Sequence, residues 1–331
     1  MFLKATLICL LLMTALPASR TVCAMTPQEI EELRTEAARQ MTGQGQYAEM
    51  LGGIANAIIV PEISSAFYKI EDDGGSDTNA STTKIPYYHS FSHTDFGFTP
   101  FLGGVLGYLS SSGSVSSYLP VTKGQLEMEE KWQAYSAMME FGGKIPLSRG
   151  FFLAPSAIMA VVRIEHKADY LNEFSRRIVA PIYEGIIANY KIDAYTAGGA
   201  LAGGYEGKFG KVDTGFIVKY IHSYTASFDT TNAAQEFNAS TDIVNARLTL
   251  AGQRNYTSCP YPIIWQVFLG HTHFVGPGDS QVGFSYFHEL GASIGLDIAS
   301  YGILLRSFRL GASYLIGDKV SGWSLILGYD F

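Results

Sequence analysis

From about Pro61 to the C-terminus, apolar and polar side chains alternate along extended stretches, a pattern that predicts strands with two unlike faces. Val212, Phe216, Val218, Tyr220 and Tyr224 share one parity, and Asp213, Gly215, Lys219 and Ser223 share the other. Val244, Ala246, Leu248 and Leu250 oppose Asn245, Arg247, Thr249 and Gln253 in the same way. Further on, Phe284, Tyr286, Leu290, Ile294 and Leu296 oppose Ser285, Glu289, Gly291, Ser293 and Asp297. The closing stretch puts Trp323, Leu325, Leu327, Tyr329 and Phe331 on one face, against Ser324, Ile326, Gly328 and Asp330. Twelve such segments are predicted, at 61–70, 84–91, 97–110, 125–146, 150–171, 184–206, 211–228, 241–254, 261–274, 282–298, 302–316 and 321–331. Long polar breaks at 71–83, 111–124, 172–183, 229–240 and 276–281 alternate with short ones near 147–150, 207–210 and 300–301.

Strands this long are foreign to soluble sheets, whose strands average about five or six residues. They suit an all-β transmembrane antiparallel barrel of about twelve strands. Composition agrees: 47% of residues are hydrophobic and 16% charged, yet no apolar run long enough for a helical span follows the N-terminal leader. A barrel reconciles the two, because only every second residue must meet lipid. A Lys or Arg on the lipid face at mid-depth costs roughly 2–4 kcal/mol, which assigns the charged parity to the lumen. The expected lumen-lining residues are Glu140, Lys144, Lys191, Asp193, Asp213, Lys219, Arg247, Glu289 and Arg309. Long breaks read as outer loops and short ones as periplasmic turns, and an even strand number places both termini in the periplasm.

The N-terminus reads as an export leader over residues 1–24, with Lys4 before the apolar run Ala5 to Leu16 and Val22-Cys23-Ala24 at the cleavage point. Lipidation at Cys23 lacks the surrounding residues it needs, since Val22 and Arg20 stand there. Residues 25–59 follow, opening on Thr26-Pro27-Gln28-Glu29, a capping box with Pro at the first helical position. A helix to about Gln40 is predicted, then Gly43 and Gly45 interrupt it before a more apolar segment from Tyr47 to Ile59. This region is either a periplasmic tail or a plug within the lumen of the barrel at 60–331.

Phe331 last, with Tyr329 two residues before it, resembles the ending by which the barrel-assembly machinery recognises Gram-negative outer-membrane proteins. Together with the leader, the helical lead and twelve strands, the chain resembles an autotransporter β-domain, in particular the solitary kind without a passenger. The resemblance implies residence in the outer membrane, contact with outer-membrane lipids and lipopolysaccharide, and the assembly machinery as partner during biogenesis. It also implies a helix ahead of the first strand that runs through the pore. Residues 25–59 are too few for a substantial passenger, so secretion activity is not carried over.

No chemistry stands out from the barrel pattern. The formal net charge of −7 offers no basic face for nucleic acid. Gly291-Ala-Ser-Ile-Gly295 matches the serine-hydrolase string, but Ser293 lies within a predicted strand rather than at a strand-to-helix elbow. Cys259 alone survives leader cleavage and has no His beside it. His271 with His273, and His89 with His93, each share a strand side, but two ligands are too few to predict a metal. The acidic run Glu71 to Asp77 lacks calcium-loop spacing. Neither a catalytic residue nor a cofactor is expected. The expected role is structural or interactive through the outer loops, with no surface partner indicated; the alternatives are a narrow channel for small solutes and an outer-membrane enzyme acting on lipid or peptide.

Overall fold

The computed structural model describes residues 26–42, 45–60, 65–70, 78–95, 97–119, 124–255, 261–275, 284–299 and 306–330. The leader, the acidic run 71–77, Cys259 and Phe331 lie outside these residues. Two helices come first, α1 (Pro27–Thr42) and α2 (Gly45–Ile59). Five strands follow: β1 (Ala66–Ile70), β2 (Thr78–Ser90), β3 (Thr99–Leu119), β4 (Gly124–Pro146) and β5 (Phe151–Tyr170). After a short α3 (Ala180–Tyr183) come β6 (Tyr190–Phe209), β7 (Val212–Thr230), β8 (Asn238–Arg254) and β9 (Ile263–Val275). The chain ends with β10 (Tyr286–Asp297), β11 (Ser307–Gly317) and β12 (Val320–Asp330). Each strand pairs antiparallel with its sequence neighbours and β1 pairs with β12, closing a twelve-stranded barrel. The β1–β12 pairing runs from Ala66 with Ser324 to Ile70 with Val320, so the described seam joins the two strands through their outer part.

Residue parity builds the wall. On β4, Trp132, Ala134, Met138 and Glu140 point inward and are buried, while Tyr135, Met139 and Phe141 are exposed. The exposed parity carries Met159 at 60%, Ile294 at 61% and Leu325 at 61%, an apolar belt that water would not tolerate and lipid requires. The β4–β5 and β6–β7 turns are tight, with Arg149, Gly150 and Gly210 at φ 58°, 85° and 63°. The opposite end carries the longer connections, including 171–189 and 231–237. Short turns mark the periplasmic end.

Three sequence expectations change. β3 and β4 pair as far as Leu119 with Gly124, so most of the predicted loop 111–124 is strand; likewise β2 begins at Thr78 rather than at 84. Above the membrane a strand no longer needs an apolar outer face, so the Ser-rich run Ser110–Ser117 carries no alternation to betray it. Phe284, expected on the lipid face, precedes β10 and is buried between the rings of Phe274 and Phe287, at 5.9 and 6.0 Å. The β11–β12 hairpin lies at the outer end but is closed by Asp318 and Lys319 alone, so outer connections are not uniformly long.

Candidate functional site: the plugged lumen

Helix α1 opens with the expected capping box: the Thr26 hydroxyl accepts from the Glu29 amide at 3.3 Å and the Glu29 carboxylate accepts from the Thr26 amide at 2.8 Å. Its buried residues Ala37 and Met41 belong to the same core as Val179, Ile182 and Ala234 of the outer connections. Arg34 Nη1 donates to the Pro181 carbonyl at 2.8 Å, fixing α1 across the outer mouth. Around Glu36, hydrogen bonds from Arg39 and Gln40 hold the carboxyl down to about 2.

Helix α2 then descends into the lumen. It is apolar on nearly every side, with Leu51, Ile54, Ala55, Ile58 and Ile59 buried against inward residues of the wall. A helix hydrophobic all round belongs in an interior. Each buried Leu or Ile contributes about 1.5–3 kcal/mol toward holding it there. Polar contacts set its register. At the outer end the Tyr47 and Tyr190 hydroxyls are 2.9 Å apart, and burial raises the Tyr47 hydroxyl well above its ordinary range. Midway, Asn56 Nδ2 donates to Thr241 Oγ1 at 3.1 Å, and Ser223 Oγ donates to Asn56 Oδ1 at 2.8 Å. At the inner end Lys84 Nζ donates to the Val60 carbonyl at 2.7 Å. Gly107 makes room for this end: a Cβ there would stand 2.5 Å from the Ile58 carbonyl oxygen.

The chain therefore approaches the barrel from its outer mouth. The expectation that both termini lie in the periplasm is corrected: the strand ends obey it, but α2 carries the preceding residues through the lumen and leaves α1 outside.

Below the plug is a cavity of about 390 Å³, whose lining includes Tyr88, Phe101, Phe152, Glu140, Lys144, Glu206, Lys219 and Arg247. Lys219 Nζ lies 2.9 Å from Glu140, which also accepts from Ser156 Oγ at 2.6 Å. Lys144 meets Glu206 at 2.5 Å and sits over the Phe152 ring at 4.4 Å. Arg247 covers the Phe268 ring at 3.6 Å. Elsewhere on the inner face Ser313 donates to Glu289 at 2.5 Å, Arg309 donates to Gln266 at 3.0 Å, and Asp213 pairs with Lys208 at 3.2 Å. Seven of the nine expected lumen residues thus face inward, and the paired charges explain how they are tolerated there.

Lys191 and Asp193 are the exceptions. Asp193 pairs in register with Arg163, bonded at 2.7 Å, and Lys191 pairs with Glu165, on the parity that carries exposed Met159 and Val161 on β5. They are on the outer face, beyond the apolar belt, where a charge costs little, and a bulge after Asp193 interrupts the strand's regular register. The charge rule holds only within the lipid layer.

Sequence reasoning missed Tyr47, Asn56, Lys84 and Glu206. Asn56 carried a signal, as the lone amide within the run from Leu51 to Val60. Of the terminal motif, Trp323, Leu325 and Leu327 project outward and Tyr329 pairs with Phe308 in the wall, while Phe331 is outside the described residues. His89 is on β2 and His93 is in the following turn, bonded to Thr99, so they do not form a pair. Ser293 is inside β10, opposite Gln266 and Gly311, without a helix after it.

Fold and lumen together define an outer-membrane β-barrel with its own N-terminal helix seated in the lumen. The chain belongs to the family described as the solitary outer membrane autotransporter β-barrel domain, whose model matches residues 67–331. Among solved structures it is similar to the β domain of the Bordetella autotransporter BrkA, with 15% identity, a TM-score of 0.49, and coverage of 80% of this chain and 94% of that one. It is also similar to the transport unit of AIDA-I from Escherichia coli, with 12% identity, a TM-score of 0.46, and coverage of 81% and 88%. The translocator domain of NalP from Neisseria meningitidis gives 10% identity, a TM-score of 0.46, and coverage of 81% and 86%. No curated protein is similar in sequence.

Proposed function

We propose that this protein is a closed outer-membrane barrel whose role is structural or interactive, exercised through the surface that α1 forms with the 171–189 and 231–237 connections. The seating of Asn56 between Ser223 and Thr241 carries this reading, because it registers an apolar helix across the outer half of the lumen. In this reading outer-leaflet lipids and lipopolysaccharide surround the apolar belt. The strand ending Trp323, Leu325, Leu327, Tyr329, Phe331 addresses the barrel-assembly machinery after leader-directed export. An enzymatic role gains no support from Ser293, which lacks an elbow.

Planar-bilayer conductance tests the closed state. The intact protein is expected to show no steady current, and the variant lacking residues 25–59 a steady one. The charged cavity beneath the plug favours a second reading, a narrow solute channel. Steady conductance of the intact protein would establish the channel and overturn the closed barrel.

A further inference from the structure

Three histidines gather on the outside of the wall, near the outer ends of β9 and β10. His271 and His273 share the outward parity of β9 with Val267 and Leu269, and His288 shares that of β10 with Leu290. His288 is paired directly with His271, and Tyr286 with His273. The Nδ1 atoms of His271 and His288 are 3.2 Å apart, with ring centroids at 4.7 Å. The His271 and His273 rings are nearly parallel at 6.2 Å. No single feature of the sequence brings His288 to this pair; the strand register does.

Among the described residues, the direct cross-strand neighbours of the histidines carry no charge. The outward cross-strand neighbours are Val244 and Ala246 on β8, and Tyr314 and Ile316 next to β10 on β11. His222, on β7, is separately engaged by Asp242 at 2.8 Å. One row below the patch, Leu269 and Leu290 face each other in the apolar belt. The imidazoles therefore stand at the level of the lipid headgroups, within reach of water and dissolved ions.

A neutral imidazole pair can share one hydrogen bond, but the spacing also meets a stricter requirement. Metal–nitrogen bonds of about 2.0–2.1 Å at a tetrahedral angle hold two ligand nitrogens roughly 3.3 Å apart. Among the described residues no three such groups already converge on one point. His273 is nevertheless on the same face, two residues from His271, and a change of side-chain rotamer alters where its nitrogens point without moving the strand. An ion seated between His271 and His288 gives that rotation a reason to occur.

We propose that His271, His273 and His288 form a binding site for a divalent transition-metal ion of the zinc or copper(II) class. Imidazole donors without carboxylates select such ions over calcium and magnesium, which prefer oxygen. The ion ties β9 to β10 from outside the wall and keeps an open position toward the headgroup layer.

Untagged full-length protein in detergent micelles, stripped with a chelator, is titrated calorimetrically with zinc chloride and examined by electron paramagnetic resonance with copper(II). About one ion per barrel is expected, with nitrogen coupling in the copper spectrum. His271→Ala and His288→Ala should each weaken zinc binding roughly ten-fold or more, His273→Ala should weaken it too, and His222→Ala should not. Heat-modifiable migration on a gel verifies that each variant is folded. Absence of binding by the wild-type protein, or equal affinity in wild type and His271→Ala, overturns the site; unchanged affinity in His273→Ala overturns its three-ligand form.

Discussion

Asn56, on the helix inside the barrel, accepts a hydrogen bond of 2.8 Å from Ser223, on the wall. The pair is buried and joins the plug to β7, while the Asn56 amide nitrogen donates to Thr241 of β8 and to the Gly52 carbonyl of its own helix. Replacing Asn56→Leu keeps the branched shape but leaves Ser223 and Thr241 facing an apolar group, at a cost of about 1–3 kcal/mol. Amide hydrogen exchange in α2 should accelerate by a corresponding factor while exchange in β6 stays unchanged. Equal exchange in α2 of both proteins would show that apolar packing alone seats the helix.

Gly107 gives a second handle on the same helix. A Cβ added there would meet the Ile58 carbonyl and the Ser136 hydroxyl, each at 2.5 Å, and the carbonyl is backbone with little freedom to yield. Gly107→Val is therefore expected to lift the inner end of α2 from the wall at about 1–3 kcal/mol. In planar bilayers this variant should show brief openings that the parent lacks. A silent Gly107→Val trace, with α2 exchange unaltered, would place the controlling contact elsewhere.

How much of this could be read in advance depends on where each residue lies relative to lipid. Lys219 and Glu140 were legible as inward charges because each interrupts an alternating apolar strand inside the belt, though nothing in the sequence says that β4 and β7 bring them together. Lys191 and Asp193 depart from that rule because the penalty that drives charges inward vanishes above the belt. The polar continuation of β3 was invisible for a related reason: with water on the outside, Ser110–Ser117 pairs through its backbone without a pattern in its side chains. The plug was legible only as an apolar helical segment. Its place in the lumen follows from long-range contacts such as Tyr47 with Tyr190, which no local pattern encodes.

The pairing of Glu140 with Lys219 makes a prediction about stability. Both side chains are 9% exposed. Lys219→Met removes the cation and leaves the carboxylate buried with Ser156 as its remaining described donor, a loss expected to be about 3–5 kcal/mol. Adding Glu140→Gln to that variant removes the stranded charge and should recover most of the loss. Denaturant midpoints of the single and double variants measure this coupling. Strictly additive effects would mean that the two charges act independently and that the pair does not organise the lower lumen.

The position of α1 is the most direct consequence of the threaded lumen. Glu32 is on an exposed part of α1, held at the outer mouth by Arg34 on Pro181, whereas Ser148 is in the exposed β4–β5 turn at the other end. In a background whose native cysteines are replaced by Ser, Glu32→Cys and Ser148→Cys report the two sides separately. A membrane-impermeant maleimide added to intact cells should label Glu32→Cys and spare Ser148→Cys, and disruption of the outer membrane should bring the second up to the first. Neither position contributes to the core, so folding should be unaffected. The reverse labelling pattern would put the helix in the periplasm and require the chain to enter the barrel from below.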